Sequence, residues 1–198
     1  MPQIRPLRRE DRDAVYEICL KTGDAGQDAT ALYRDADLLG HLYAGPYAAL
    51  EPESGFILED EEGAGGYILG AFDTYAFEKR LEEEWWPSLR TRYSNPDALP
   101  EPDRHLAQSI HKPWRTPKRI TEPYPSHLHI DLLPRFQGIG WGKRMMDHWL
   151  NKMRERGSPG AHLGVGLRNE RAVKFYLRYG FAEFQRWNDV LMLGISFK

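Results

Sequence analysis

The residues of this 198-residue chain that are best equipped for chemistry lie between His127 and Lys143. His127, His129 and Asp131 alternate through a run that reads as a strand, so all three share one face. Pro134 breaks that strand, and Gln137-Gly138-Ile139-Gly140-Trp141-Gly142 leads into a helical pattern. A strand, a glycine loop and a helix start together can hold phosphate. Glycine lets the backbone approach an anion closely, and the first N–H groups of the helix lack internal partners and carry the positive end of its dipole. Arg135, Lys143 and Arg144 add formal charge.

Spacing sorts the possible phosphate loops. A Walker A loop fails, because counting back from Gly142-Lys143 lands on Gln137, and Arg144 stands where a hydroxyl is needed. A dinucleotide fingerprint fails, because Lys143 stands in place of its third glycine. The pattern that fits is Q-x-x-G-x-G, met by Gln137, Gly140 and Gly142 after Leu132-Leu133-Pro134.

Other reactive side chains read as follows. Cys19 lies on an apolar helical stripe and reads as a buried, inert thiol. His127-x-His129 lacks a third ligand at useful spacing, so either histidine reads better as a base than as a metal ligand. Asp131 breaks the preference of strand interiors for apolar residues. It reads as a general base, as a holder of an ammonium, or as a carboxylate paired with one of those histidines. Tyr176 by itself reads as a packed helix aromatic. Arg171, Lys174 and Arg178 share one helical face, which either meets a phosphate or faces solvent.

The elements that must position these groups follow from periodicity. Gln3 to Leu7 reads as an edge strand, Glu10 to Thr22 as a helix, residues 23–30 as a loop, and Leu32 to Leu39 as a short helix. Segments 55–59 and 66–72 form an antiparallel hairpin, and Tyr75 to Tyr93 a helix with a solvated acidic run. The proline-rich stretch from Ser94 to Pro125 reads as an ordered insertion with one short helix near residues 104–110. A Met and Trp stripe follows the glycine loop, and Ala161 to Leu167 alternates with Gly164 and Gly166 on one face. Asn169 caps a helix stopped by Gly180, and residues 181–184 and 190–197 are closing strands.

Two of these pieces, the glycine loop and Asn169-x-x-Ala172-x-x-Phe175-Tyr176-x-x-x-Gly180-Phe181, occur in an order and separation that resemble the GNAT superfamily of N-acetyltransferases. The resemblance implies an α/β fold with a mixed sheet whose central parallel strands, 128–133 and 161–167, splay apart around acetyl-coenzyme A. It implies coenzyme contacts from Leu132, Leu133, Arg135, Gln137, Gly138, Ile139, Gly140, Trp141, Gly142, Lys143, Asn169, Ala172, Phe175 and Tyr176. It implies Tyr176 as the acid that protonates the departing thiolate, a backbone N–H of Leu132 or Leu133 as oxyanion donor, and the first helix pair with its connection as one wall of the acceptor site. The activity implied is acetyl transfer to an amine by direct attack, with Asp131 beside the acceptor. A coenzyme-binding module without catalysis is the alternative. Val15 to Cys19, His129-Ile130-Asp131 and Phe175-Tyr176 also resemble the acetyltransferase-like C-terminal domain of O-GlcNAc hydrolases, which implies a stand-alone bacterial-type relative that keeps the coenzyme loop.

Bulk properties bound the rest. Length and a formal charge of −2 suit one domain spanning residues 1–198 with the insertion at 94–125, and give no electrostatic footprint for nucleic acid. No apolar run approaches a membrane span, and the N-terminus lacks the apolar core of a signal peptide. One cysteine fits a reducing cytoplasm. The expected partner is an amine-bearing acceptor, a protein lysine or a small molecule, with no metal. Monomer and homodimer remain equally open.

Overall fold

The computed structural model describes residues 1–197. Its sheet is built from strands whose two faces are both covered, so their apolar residues divide between two cores. The strands are β1 (Gln3–Pro6), β2 (Phe56–Asp60), β3 (Gly63–Ala71), β4 (Ser126–Leu132), β5 (Gly160–Gly166), β6 (Ala182–Trp187) and β7 (Val190–Ser196), in the order β1-β2-β3-β4-β5-β7-β6. All neighbours pair antiparallel except β4 and β5, which are parallel. That parallel pair is joined only at Ser126↔Ala161 and His127↔His162. Beyond it the strands separate, and the C-terminal half of β4 faces an open gap.

Helices α1 (Arg12–Thr22), α2 (Leu38–Tyr43), α3 (Gly45–Leu50), α4 (Thr74–Arg80), α5 (Trp86–Arg92), α6 (Asp103–His111) and α7 (Lys118–Thr121) precede β4. Helices α8 (Trp141–Glu155) and α9 (Glu170–Tyr179) follow it. Tyr67, Leu69 and Ala71 of β3 join the core beneath α1 to α6, whereas Ile68 joins the core beneath α8 and α9. Trp149 of α8 fills the second core, and its indole N–H donates to Ser54 O at 2.7 Å. Burial of each such side chain stabilises the fold by roughly 1.5–3 kcal/mol. On β4, Leu128, Ile130 and Leu132 face this core, and His127, His129 and Asp131 face the other.

Three expectations shift. The first helix begins at Arg12 rather than Glu10, after a 3-10 turn at Arg9–Asp11. The helix expected at 32–39 lies instead at Leu38–Tyr43 and continues into α3, because residues 30–37 form turns held by Asp35 and Asp103. The helix expected from Tyr75 to Tyr93 is present but carries a π turn at Leu81–Trp85. Pro87, just beyond it, has no N–H to give to the preceding turn, and the wider π geometry absorbs the mismatch. The insertion is ordered through burial: Leu106, Ala107, Ile110 and Ile120 are core residues. Tyr124 covers the glycine backbone at Gly160 and Gly194.

Candidate active site

The gap between β4 and β5 deepens into a cleft of ≈ 370 Å³. It is lined by the α1 end and following loop (Thr22, Ala25, Gly26, Gln27), by Ile130 to Leu132, by the glycine loop, and by α9. Gly138 and Gly140 take left-handed φ values of 77° and 92°, and a Cβ at either would meet nothing within 4 Å, so the loop frames open space. At the first turn of α8 the N–H groups of Trp141, Gly142 and Lys143 find no acceptor among the described residues. Lys143, Arg171 and Arg178 line the same space. Free backbone donors, a helix N-terminus and three cations make this end of the cleft a site for a polyanion.

Hydrogen-bond parity along β4 decides what its backbone offers. Leu133 N–H donates to Gly65 O at 2.7 Å, so residues 133, 131 and 129 direct their backbone groups toward β3. Ile130 and Leu132 therefore direct theirs toward the absent β5 pairing. Gln137 Nε2 caps the Leu132 carbonyl at 2.6 Å, and Gln137 Oε1 accepts from Arg171. The Leu132 N–H stays open to the cleft.

Two acidic groups meet this edge. Tyr176 of α9 is 7 % exposed, and its hydroxyl makes no hydrogen bond. No unpaired polar side-chain atom among the described residues is sealed, so that hydroxyl opens to the cleft. Burial, and secondarily the Asp131 carboxylate, raise its pKa and keep it protonated. Asp131 is half-buried and lines the cleft, and Tyr67 Oη donates to its Oδ2 at 2.6 Å. Burial raises the Asp131 pKa against the lowering effect of that hydrogen bond.

The comparisons bear on this geometry. Residues 48–181 match the acetyltransferase (GNAT) family. The chain belongs to that family. Its splayed mixed sheet is the GNAT fold. Protein O-GlcNAcase of Rattus norvegicus and of Mus musculus are each 28% identical over 200 residues, across 98% of this chain and 22% of theirs. The homology is to the acetyltransferase-like region, and the chain spans about a fifth of those relatives' length. The solved structure of SsHAT is 40% identical with a TM-score of 0.90, covering 98% of both chains. Salmonella typhimurium yncA, solved with its cofactor acetyl-CoA, shares the fold at a TM-score of 0.58 and 14% identity, covering 100% of this chain and 94% of that one.

Within this GNAT frame the expected residues divide. Asp131, Leu132, Gln137, Gly138, Gly140, Gly142, Lys143, Asn169, Ala172, Phe175 and Tyr176 all line the cleft. Asn169 also caps α9, its Oδ1 accepting from Ala172 N at 3.0 Å. Four expected residues do not line it. The Leu133 amide is occupied by Gly65, so of the two expected donors only the Leu132 N–H faces the cleft. Arg135 is turned to the β2–β3 hairpin, held by Asp60 at 3.3 Å and Gly63 O at 3.1 Å. Ile139 projects outward, 65 % exposed, and Trp141 packs beside Phe136. Ala25, Gly26 and Gln27 of the loop at 23–30 line the cleft, and Asp24 of that loop pairs with Arg168 at 3.1 Å. Lys174 leaves the basic face to pair with Glu170. The pairing of Asp131 with a histidine is also corrected: its partner is Tyr67, its register mate on β3.

Sequence spacing did not bring Tyr67 or Thr22 to the site. Tyr67 reads as a core aromatic in an apolar strand, and only strand register sets it opposite Asp131. Cys19 is buried, and burial pushes its thiol up to about 12.

Proposed function

We propose that this protein moves the acetyl group of acetyl-coenzyme A to an amine by direct attack. The observation that carries the reading is the convergence, in one cleft, of an open glycine cradle, an unpaired strand amide at Leu132, the Tyr176 hydroxyl and the Asp131 carboxylate. Bound acetyl-coenzyme A supplies an activated thioester, and the remaining work belongs to the chain. The glycine loop, the α8 N-terminus, Lys143, Arg171 and Arg178 hold the pyrophosphate end. The Leu132 N–H faces the edge where charge develops on the carbonyl oxygen. Tyr176 donates its proton to the departing sulfur, and Asp131 faces the incoming amine. A relay through Cys19 is disfavoured, since a buried thiol with a raised pKa supplies little thiolate.

The acceptor class at this level is an amine, on a protein lysine or on a small molecule. Calorimetric titration with acetyl-coenzyme A, followed by thiol release across an amine panel, tests the reading. Tight binding with no thiol release from any amine would replace it with a coenzyme-binding module.

A further inference from the structure

Past the last rung at His127↔His162, the gap-facing backbone groups of β4 lose the partners that β5 would supply. At Leu132, the last residue of the strand, the two groups fare differently. Its carbonyl accepts from Gln137 Nε2 at 2.6 Å, and its N–H has no acceptor among the described residues. The N–H and C=O of one strand residue point to the same side. A negative charge growing on an oxygen at this edge therefore meets an attractive donor and a repulsive carbonyl dipole together. The Gln137 side chain engages the carbonyl and leaves the donor free.

Gln137 is held in this pose from both ends. A 3-10 turn at Pro134–Phe136 carries the chain back over Leu132: Phe136 N–H donates to Leu133 O at 2.9 Å, Gln137 N–H donates to Pro134 O at 3.1 Å, and the Phe136 ring is buried. At the far end of the side chain, Gln137 Oε1 accepts from Arg171 Nη1 of α9. A backbone carbonyl can only accept and a guanidinium can only donate, so these two neighbours fix which way round the amide lies. Arg171 lines the phosphate end of the same cleft. Its five N–H donors let it serve the amide and a phosphate at once. Gln137 thus spans the distance between the group that meets the polyanion and the strand edge that meets the acetyl group.

Resting on the acetyl-transfer reading, we propose that Gln137 is a positioning residue for the thioester, coupling phosphate binding at Arg171 to the donor at Leu132. It engages the Leu132 carbonyl, so that the N–H alone acts on the thioester oxygen. Arg171, once fixed by phosphate, locks the amide in the orientation that does so. The charge on that oxygen is greatest in the transition state, so the effect falls on turnover more than on coenzyme affinity.

Gln137→Met keeps the length of the side chain and removes both of its hydrogen bonds. With saturating acetyl-coenzyme A and the best amine of the panel, its kcat should fall about tenfold, short of the roughly 10²–10³-fold that loss of a whole oxyanion donor costs. Its calorimetric affinity for acetyl-coenzyme A should stay within about threefold of wild type, under 1 kcal/mol. Infrared difference spectra of bound acetyl-coenzyme A, labelled with ¹³C at the acetyl carbonyl, read the donor directly. Wild type should lower that stretching frequency, and Gln137→Met should lose most of the shift, whereas a merely structural role would change Tm and leave the band in place. Arg171→Gln, at an exposed position, should weaken coenzyme binding and also lower kcat at saturation. The double variant should have a kcat no lower than the lower single, because both act through one amide. A folded Gln137→Met protein with wild-type kcat and a wild-type band would overturn the proposal alone, as would kcat losses that multiply in the double variant. If Gln137→Met does not fold, Arg171→Gln decides, and an unchanged saturating kcat and band would overturn the proposal. Wild type that binds acetyl-coenzyme A and releases no thiol to any amine would overturn the acetyl-transfer reading and this proposal with it.

Discussion

Gly140→Asp separates the phosphate cradle from the fold that carries it. Gly140 is the N-cap of α8 with φ 92° and ψ −5°, and a Cβ there would meet nothing within 4 Å. The substitution therefore clashes with no protein atom. It costs the fold only left-handed backbone strain, about 1–2 kcal/mol. For a chain of this size that lowers Tm by roughly 2–8 °C. Gly157, past the other end of the same helix, has φ 87° and equally empty surroundings. Gly157→Ala should cost the same stability and leave the cleft untouched. The binding effects then diverge. An aspartate placed about 5 Å from a bound phosphate repels it by about 3 kcal/mol at an effective dielectric of about 20. That is about 10²-fold in affinity. Gly140→Ala, which adds bulk without charge, should fall between. Calorimetry with acetyl-coenzyme A, with circular dichroism melts of all three variants, reads both quantities. A folded Gly140→Asp protein that binds within about threefold of wild type would refute the assignment of this loop to the pyrophosphate, since about threefold is under 1 kcal/mol.

Three further outcomes follow from the same site. Tyr176→Phe keeps the ring and should lower kcat by about 10²-fold with little change in coenzyme affinity, measured by steady-state thiol release beside calorimetry. Asp131→Asn should raise the acceptor KM and yet stabilise the fold near neutral pH. Burial raises the folded pKa of Asp131, so the wild-type site contributes most when protonated and loses stability as pH rises through that pKa. The variant's Tm advantage should therefore grow from pH 4 to pH 7, and an advantage confined to low pH would contradict it. Native Cys19 should resist a thiol reagent that reacts after unfolding, and Cys19→Ala should keep its turnover number. Loss of turnover in folded Cys19→Ala would revive a covalent relay.

Residues far apart in sequence show where reading the chain stops. In sequence the proline-rich insertion reads as an ordered segment with one short helix, because proline excludes regular strands and long helices. In three dimensions Leu106, Ile110 and Ile120 are sealed in the interior, so shortening the insertion would open the core itself. Arg135 shows the converse. Its place beside the glycine loop draws it toward phosphate, but the β2–β3 hairpin brings Asp60 within 3.3 Å and turns it away.

The glycine loop, the Asn169 cap, the apolar stripes of α8 and α9 and the alternation of β4 are local patterns, each imposed by backbone sterics or by a short helical or strand period. They are legible without coordinates as a strand, an anion-holding loop and helices, and the splayed α/β sheet follows from the GNAT resemblance that they carry. Which amide of β4 stays free depends on the partner of the neighbouring residue, and that is settled by pairing with Gly65. Which of His127, His129 and His162 has both nitrogens bonded depends on Tyr47 and Thr74, contributed by helices distant in the chain. Tyr67 meets Asp131 only because β3 and β4 pair in that register. Chemistry at this site is a matter of which polar groups are left over. Tertiary packing decided that, because it alone determines which of them find partners.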